Sequence, residues 1–456
     1  MPALLILLVV YSLALIVLGA WIGRTVRQSD SFFVGGRTLG AGLIFATFLA
    51  PNIGAGSTVG ATSIAYREGL SAWWWNASAG LGSLVLAFWI GPRIWREAKR
   101  LNLITLGDFL EHHFGRGVRG VAGLLIWFGT LAILCGQLDG AAVVLKRASG
   151  LPHAWGCFVA AGVMTAYFVA GGLASAARVN GIQLVVKLLG FGIAAPMALM
   201  VAGGWHEVRA LNLDRLSFWH GTSATEGWPR IFLLGPAFFL SPGLIQKAYS
   251  AKNERALTRG IAWNGVCLIL FAAVPVILGL SARAMFPSLE QPDDALPAIL
   301  GQLPLAVGGL ALAAVFSAEM SAADAVLFML STSGARDLYK GFMRPAATDA
   351  ELLRAARITA VAGGMLGFAL TFVLPTVVDA LRMFYSILVV SLFAPILGAL
   401  FLPKGGRGGA LAAMVIGVGT LTATHVITGG AGYGFASPAL LGLLASTATY
   451  FVLAVF

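Results

Sequence analysis

The sequence is poor in charged residues. Asp, Glu, Lys and Arg make up 11% of its 456 residues, whereas a soluble domain carries roughly 25%. With 58% hydrophobic residues, such a chain cannot cover a folded surface with polar groups. Apolar runs of about twenty residues recur to the end of the chain, and each is long enough to cross about 30 Å of hydrocarbon. The sequence therefore predicts an all-α polytopic protein embedded in the lipid bilayer.

Cysteine and histidine are also scarce. The three cysteines, Cys135, Cys157 and Cys267, all lie in apolar segments without paired spacing. This pattern predicts small packing residues rather than disulfides or metal ligands. The six histidines are scattered, and no nucleophile–base pair is apparent. We therefore expect no enzyme activity.

Basic residues outnumber acidic ones, giving a net charge of +11. Lys and Arg concentrate in one set of alternate loops, as in the cytoplasmic loops of membrane proteins. The charge therefore indicates a bilayer rather than nucleic acid as the partner. The distribution predicts a plasma (inner) membrane protein with its N-terminus outside and its C-terminus in the cytoplasm. Lys187 lies within an apolar segment instead of a loop.

Hydropathy predicts thirteen spans within a single transmembrane transport domain, 1–456. They run near 3–23, 41–66, 73–94, 118–145, 156–173, 180–202, 230–249, 259–282, 303–334, 356–375, 378–402, 409–428 and 434–455. Between them, 101–117 is predicted to form a short cytoplasmic interfacial helix and 206–230 a polar external loop.

The second span contains the stretch FLAPNIGAGSTVGA, Phe48 to Ala61. Pro51 removes a backbone donor, and Gly54, Gly56 and Gly60 weaken the helix further. A broken helix exposes free carbonyls and amides, which lipid tolerates only where the backbone lines a cavity or is buried in protein. Transporters use such breaks to hold ions and substrates. The alternative is a proline kink with small residues for helix packing.

A second interruption occurs in GPAFFLSPGLIQK, Gly235 to Lys247, in the seventh span. The two breaks are five spans apart, which predicts a five-plus-five inverted repeat. The predicted order is an extra N-terminal helix at 3–23, a first repeat at 41–202 and a second at 230–402. Extra C-terminal helices follow at 409–455.

Two further segments place polar groups inside apolar spans. In FSAEMSAADAVLF, Ser317, Ser321 and Asp324 share a helix face, while Glu319 lies on another. An acid at this depth predicts a cation or proton site, the alternative being a pair with a neighbouring helix. In CGQLDGAA, one of Gln137 and Asp139 is predicted to face the bundle interior, with a helix–helix hydrogen bond as the alternative.

Several motifs together resemble the sodium:solute symporter family, the group of sodium–glucose, proline and sialic acid carriers. They are DSFFVGGRTLG at 30–40, GATSIAYREGLSAWWW after the first break, GGLASAARVNGIQ at 171–183, SPGLIQKAYSAKNERAL and MSAADAVLFMLSTSGARDLY. The resemblance covers essentially the whole chain. It implies a leucine-transporter-like ten-helix core with one helix before it and extra helices after it. It also implies cation-coupled symport of a small polar organic solute by alternating access.

The resemblance also implies site residues. The sodium ligands would be the carbonyls of Ala50, Ile53 and Ala318 and the hydroxyl of Ser321. The solute would lie between the broken helices and the third core helix, near Asn52, Gly54, Ser57, Gln137 and Phe239. No cationic residue is expected in this pocket, and Asp139 and Glu319 favour an amine-bearing or neutral solute.

Two positions depart from the family pattern. Ala322 replaces a second hydroxyl, and Asn180 replaces a common Asp. Both changes remove oxygen ligands of the kind that hard cations require. Water or Glu319 could complete a sodium site, or Glu319 or Asp139 could exchange a proton and couple transport to H+. The other classes are a channel or sensor on the same fold and a membrane-embedded enzyme.

Overall fold

A computed structural model describes Ile6, Val9–Tyr11, Leu13, Ala14, Val17 and residues 37–220, 226–374 and 376–455, without the side chains of 170–178. Most of the predicted span 3–23 and of the motif at 30–40 lies outside these residues. Within them the fold is helical, and only isolated bridges join Leu39 to Ala251 and Tyr433 to Ala436. The predicted all-α class is therefore confirmed.

Within the described range 37–455 and its gaps, eighteen α-helices have described bounds and are numbered in chain order. They are α1 (Ala41–Asn52), α2 (Val59–Glu68), α3 (Trp73–Val85), α4 (Gly91–Arg100), α5 (Leu106–Phe114), α6 (Arg116–Ser149), α7 (His153–Val201), α8 (Gly204–Ala210), α9 (Ile231–Leu240), α10 (Pro242–Tyr249), α11 (Glu254–Phe271), α12 (Ala273–Met285), α13 (Ala295–Leu300), α14 (Leu305–Thr332), α15 (Asp349–Leu370), α16 (Val377–Phe401), α17 (Gly406–Thr428) and α18 (Pro438–Val455).

The described residues contain ten helical segments long and apolar enough to cross a membrane, and two shorter apolar helices at Ala41–Asn52 and His153–Val169. Helix α7 covers both predicted spans 156–173 and 180–202. The connection expected between those spans falls among the residues without described side chains. The count of thirteen spans and the bounds of the two repeats stay predictions.

Both predicted helix breaks are present. Helix α1 ends at Asn52, one residue after Pro51, and the chain makes a short 3₁₀ turn at Ala55–Ser57 before α2 begins. Helix α9 ends at Leu240, where Ser241 turns the chain out of helical geometry with ψ 120°. Helix α10 then starts with Pro242, whose missing N–H costs nothing in a first helical turn.

The first break is surrounded by long helices. Helix α1 packs against α7, α11 and α14, while the turn after it contacts α6, α14 and α16. Because these neighbours come from both halves of the chain, the exposed backbone of the break is enclosed by protein. This enclosure meets the requirement that irregular backbone at membrane depth be buried or line a cavity.

The predicted helix within 101–117 is also confirmed. Helix α5 begins at a capping box in which Thr105 and Asp108 each accept a hydrogen bond from the other's backbone N–H. Ion pairs connect α5 to its neighbours. Arg119 of α6 contacts Asp108 of α5 at 2.9 Å and Asp337, in the segment after α14, at 3.2 Å. The segment therefore packs into the helical bundle.

Glycines allow the helices of the two halves to approach closely. A Cβ at Gly82 of α3 would lie 2.2 Å from the carbonyl oxygen of Gly235 in α9, and one at Gly80 would lie 2.7 Å from that of Gly265 in α11. Small residues at such contacts let backbones pack directly, which is a main source of helix association in membranes.

We expect Gly82→Ala to destabilise the protein, because the added methyl group must push α3 away from α9. Overpacking of this kind costs about 1–3 kcal/mol. The melting temperature of the detergent-purified protein measures the effect. The matched control is Gly192→Ala in α7, where a Cβ would meet nothing within 4 Å. Equal melting temperatures for the two variants would contradict the described packing.

Candidate functional site

A central cavity lies where the two helix breaks face each other. Four groups of residues line it, and they come from both halves of the chain: Pro51, Asn52, Gly54, Gly56 and Ser57 at the first break; Ile133 and Gln137 of α6; Ala237, Phe238, Ser241, Gly243, Leu244 and Lys247 at the second break; and Ala322, Ala325, Val326, Met329, Leu381, Phe384 and Tyr385 of α14 and α16. The cavity therefore occupies the place at which the resemblance locates the solute.

Four of the five residues predicted to contact solute line this cavity: Asn52, Gly54, Ser57 and Gln137. Phe239 does not. Successive helical residues point about 100° apart, so Phe238 faces the cavity while Phe239 packs against Phe393 of α16, with ring centroids 6.2 Å apart. The α9 ring that lines the cavity therefore belongs to Phe238, one residue before the predicted Phe239.

Side chains satisfy the backbone groups that the first break exposes. Gln137 Oε1 accepts a hydrogen bond from the Ala55 N–H at 2.9 Å. Ser57 Oγ donates to the Asn52 carbonyl at 2.6 Å, and Thr58 Oγ1 lies 2.9 Å from the Gly54 carbonyl. Buried backbone groups without partners are costly, so these contacts make the break possible inside a membrane.

One cationic side chain lines the cavity, contrary to the expectation from sequence. Lys247 of α10 is buried, and its Nζ donates to the Thr47 carbonyl at 3.1 Å. It also interacts electrostatically with buried Asp324 of α14. A negative group near the cavity therefore opposes the positive charge that Lys247 brings to the wall.

The oxygens predicted to bind sodium do come together, and their partner is Lys187 of α7. The Nζ of Lys187 donates to the carbonyls of Ala50 and Ile53, the latter at 3.2 Å, and to Ser321 Oγ. The hydroxyl of Ser321 lies 3.0 Å from the Ala50 carbonyl and 3.1 Å from the Ala318 carbonyl. We call Ala50, Ile53 and Ser321, with these oxygens, the oxygen cluster.

This arrangement does not fit a sodium ion beside Lys187. The lysine is 0% exposed, and the three N–H donors of an ammonium group match the three acceptors of the oxygen cluster. A second unit charge about 3 Å from Nζ would be repelled by about 5–6 kcal/mol at an effective dielectric constant of about 20. The role of Ala50, Ile53, Ala318 and Ser321 as sodium ligands stays a prediction.

Ala322 and Asn180, the two residues that depart from the family pattern, are both buried. Ala322 packs directly on the first break, since a Cβ placed on Gly54 would lie 2.5 Å from the Ala322 Cβ. A larger side chain at 322 would crowd this contact. Asn180 is buried in α7, the helix that also carries Lys187.

The two acids predicted to handle a cation or proton lie in different places. Glu319 is fully buried beside the first break, with Oε1 3.2 Å from Thr58 Oγ1, and it interacts electrostatically with Lys187. Asp139 instead meets His153 Nε2 at 3.1 Å and accepts from Cys157 Sγ at 3.5 Å. Neither acid lines the cavity.

These positions bear on two expectations from the sequence. Of Gln137 and Asp139, Gln137 is the residue that reaches the cavity, while both are buried. Neither Asp139 nor Glu319 borders the cavity, so these acids do not support the expectation of an amine-bearing or neutral solute there, and that expectation stays a prediction.

Lys187 is the site residue to which the sequence reasoning assigned no role. The signal that could have found it is its position, since it is the sole lysine of the apolar segment 180–202. An ionisable residue inside a membrane span marks a functional site by default. Its contacts with Ala50 and Ser321, however, bridge more than a hundred residues of sequence.

We expect Gln137→Leu to lower the melting temperature, because it leaves the Ala55 N–H without its acceptor. A buried unsatisfied donor costs about 1–3 kcal/mol. Gln137→Glu retains an acceptor and should stay closer to wild type. Exposed Gln302→Leu serves as the control for the loss of an amide. A Gln137→Leu protein as stable as the control would contradict the role of Gln137 in supporting the break.

Comparison with known proteins supports the family resemblance. A family model described as the sodium:solute symporter family matches residues 32–417. The sodium/proline symporter of Staphylococcus aureus strain JH9 is 29% identical over 356 residues, which cover 74% of this chain and 68% of that protein. The protein of the same name from strain NCTC 8325 / PS 47 matches to the same extent.

Solved structures show the same fold. A Na+-coupled sialic acid symporter, in a substrate-bound outward-open state, has a TM-score of 0.83 at 15% identity, covering 99% of this chain and 97% of that one. MHP1, a nucleobase-cation-symport-1 family transporter, in a closed conformation, has a TM-score of 0.62 at 14% identity, covering 92% and 93%. The predicted fold class and the prediction of a cation-coupled secondary transporter of a small solute are confirmed. The chain belongs to the sodium:solute symporter family.

Proposed function

We propose that this symporter carries a small polar organic solute through the central cavity by alternating access. The observation that carries the proposal is the position of the cavity between the two helix breaks. Cavities at such breaks are where transporters built from inverted repeats hold their substrates. Movement of the helices around the breaks would open the cavity first to one side of the membrane and then to the other.

The lining indicates the kind of solute. Asn52, Ser57 and Gln137 contribute amide and hydroxyl groups to the lining, and Phe238 and Tyr385, whose ring centroids lie 5.8 Å apart, contribute aromatic surface. Ligand sites commonly combine an apolar surface with a few polar groups that fix orientation. We infer a compact solute with a hydrogen-bonding head and an apolar part. Proline, which is named for the sodium/proline symporters, is a small zwitterionic solute with an apolar ring.

The net charge of the lining narrows this class. Among the described lining residues the cationic side chain is Lys247, and buried Asp324 of α14 interacts with it electrostatically. A solute with a large net charge would find no matching excess charge in the wall. The proposal therefore favours a neutral or zwitterionic solute over an anion or a cation.

Membership of the sodium:solute symporter family favours Na+ as the coupling ion. A bound cation drives uptake only if it has different affinities for the outward-open and inward-open states. The oxygen cluster joins α1 to α14, so a positive charge held there links the first break to the second half of the chain. Coupling to H+ through Glu319 or Asp139 stays a prediction, and neither carboxylate lines the cavity.

A thermal-shift screen tests the solute class. The purified protein is heated with candidate neutral, zwitterionic, anionic and cationic solutes, each in sodium and in choline buffer. We expect neutral or zwitterionic solutes to raise the melting temperature. Proteoliposomes that contain the protein should then take up the solutes that stabilise it. Stabilisation and uptake restricted to net-charged solutes would contradict the proposed class.

We expect Phe238→Ala to weaken binding of the solute found in that screen by about tenfold, equivalent to about 1.4 kcal/mol. The reason is that this ring forms part of the cavity wall. Phe239→Ala is the matched control, because its ring packs against Phe393 and its loss should lower the melting temperature with little change in affinity. Isothermal titration calorimetry measures both. A larger affinity loss for Phe239→Ala than for Phe238→Ala would contradict the position of Phe238 in the cavity wall.

A further inference from the structure

We propose that the ammonium group of Lys187 is a built-in cation that takes the place of sodium at the oxygen cluster, so that the first break is tied to α14 without a sodium ion. The proposal concerns the predicted sodium position of this chain alone. Its consequence for transport rests on the proposed function. The claim that the Lys187 ammonium group occupies the oxygen cluster does not.

The contacts of Lys187 are those of a cation that completes the cluster. Its three N–H groups meet the Ala50 carbonyl, the Ile53 carbonyl and Ser321 Oγ. The single O–H of Ser321 has the Ala318 carbonyl, at 3.1 Å, as an acceptor that Lys187 does not use. Every donor of the ammonium group therefore has a partner, and the carbonyls freed by the break point at a positive charge.

Helix packing holds the lysine at this position. One turn after Lys187, Gly190 brings α7 against α14, since a Cβ there would lie 2.4 Å from the Ala314 Cβ. Helix α7 also packs on α1. Because the side chain starts between the two helices that supply its acceptors, it reaches the cluster while remaining wholly buried.

Buried acids accompany the buried lysines of this region. Glu319 of α14 interacts electrostatically with Lys187, and Asp324 of the same helix does so with the next cation, Lys247 of α10. A sodium ion in the cluster would add a further positive charge to this buried group. Charges buried in this way are stable when they are paired and hydrogen-bonded.

The two departures from the family pattern agree with a tethered cation. A free hard ion gathers several oxygen ligands, and Ala322 and Asn180 each supply one fewer than the pattern provides. An ammonium group needs only three acceptors. The loss of these oxygens is therefore compatible with Lys187 in the cluster, whereas it weakens a site for an exchangeable ion.

A cation that is covalently attached cannot leave with the solute. A sodium gradient therefore cannot act through binding and release at this position, because the occupancy of the cluster is fixed. Solute binding should then be independent of sodium at the cluster. Any sodium requirement of transport would arise elsewhere in the protein.

The test measures melting temperature against sodium concentration without solute, at constant ionic strength with choline as the replacement ion. Wild type should show no sodium-specific stabilisation that depends on Ser321. Lys187→Ala should melt at least about 3 °C lower in choline, because the cluster has lost its cation. Sodium should then restore part of the difference, and the double variant Lys187→Ala/Ser321→Ala should lose that restoration. Lys187→Met, which fills the space without a charge, should be destabilised in both salts.

Two results would overturn the proposal. One is sodium-specific stabilisation of wild type that Ser321→Ala removes; this arm remains decisive if Lys187→Ala cannot be purified. The other is a Lys187→Ala protein as stable as wild type in choline and indifferent to sodium. Since no solute is present, failure of the proposed transport function, seen as absent uptake in proteoliposomes, is distinguishable from either result.

Discussion

The structure depends on one constraint: a helix that breaks inside a membrane must find partners for the backbone groups that the break exposes. In this chain Pro51 and the glycines after it separate α1, which ends at Asn52, from α2, which begins at Val59. Water is absent from the hydrocarbon region, so each freed carbonyl and amide must be satisfied within the protein. The residues that provide these partners also form the candidate site.

Different side chains serve the amide groups and the carbonyl groups of the break. On the amide side of the break, Gln137 accepts from Ala55, and this contact brings α6 to the cavity. On the carbonyl side, Ala50 and Ile53 meet Lys187, which connects the break to α7 and, through Ser321, to α14. The break is therefore held by helices that come from both halves of the chain. Any movement of α1 relative to α14 must first loosen these contacts.

Much of this architecture follows from local sequence. Proline and glycine have direct backbone effects, so Pro51 and Pro242 locate the breaks. Hydropathy and the long family motifs then predict a polytopic carrier. The side-chain details are harder, because Phe238 and Phe239 are equally apolar and only the rotation of α9 in the bundle decides which ring faces the cavity.

Lys187 shows the other limit of sequence reasoning. Its apolar surroundings mark it as unusual, but its acceptors lie 137 residues earlier at Ala50 and 134 residues later at Ser321. No spacing rule links positions so far apart, and the family pattern directs attention to the oxygens and to an ion from solution. The sequence likewise marks Glu319 as an intramembrane acid, but only the packing of α7 on α14 brings its electrostatic partner Lys187 near it.

The central claim is that a lysine ammonium, and not sodium, fills the oxygen cluster. A cryo-electron microscopy map that resolves side chains and ions, recorded once in sodium chloride and once in choline chloride, tests it most directly. The account predicts continuous density from α7 through the Lys187 side chain to the Ala50 and Ile53 carbonyls and Ser321 in both salts. A separate peak between those oxygens in sodium alone, with Lys187 turned away from them, would contradict it.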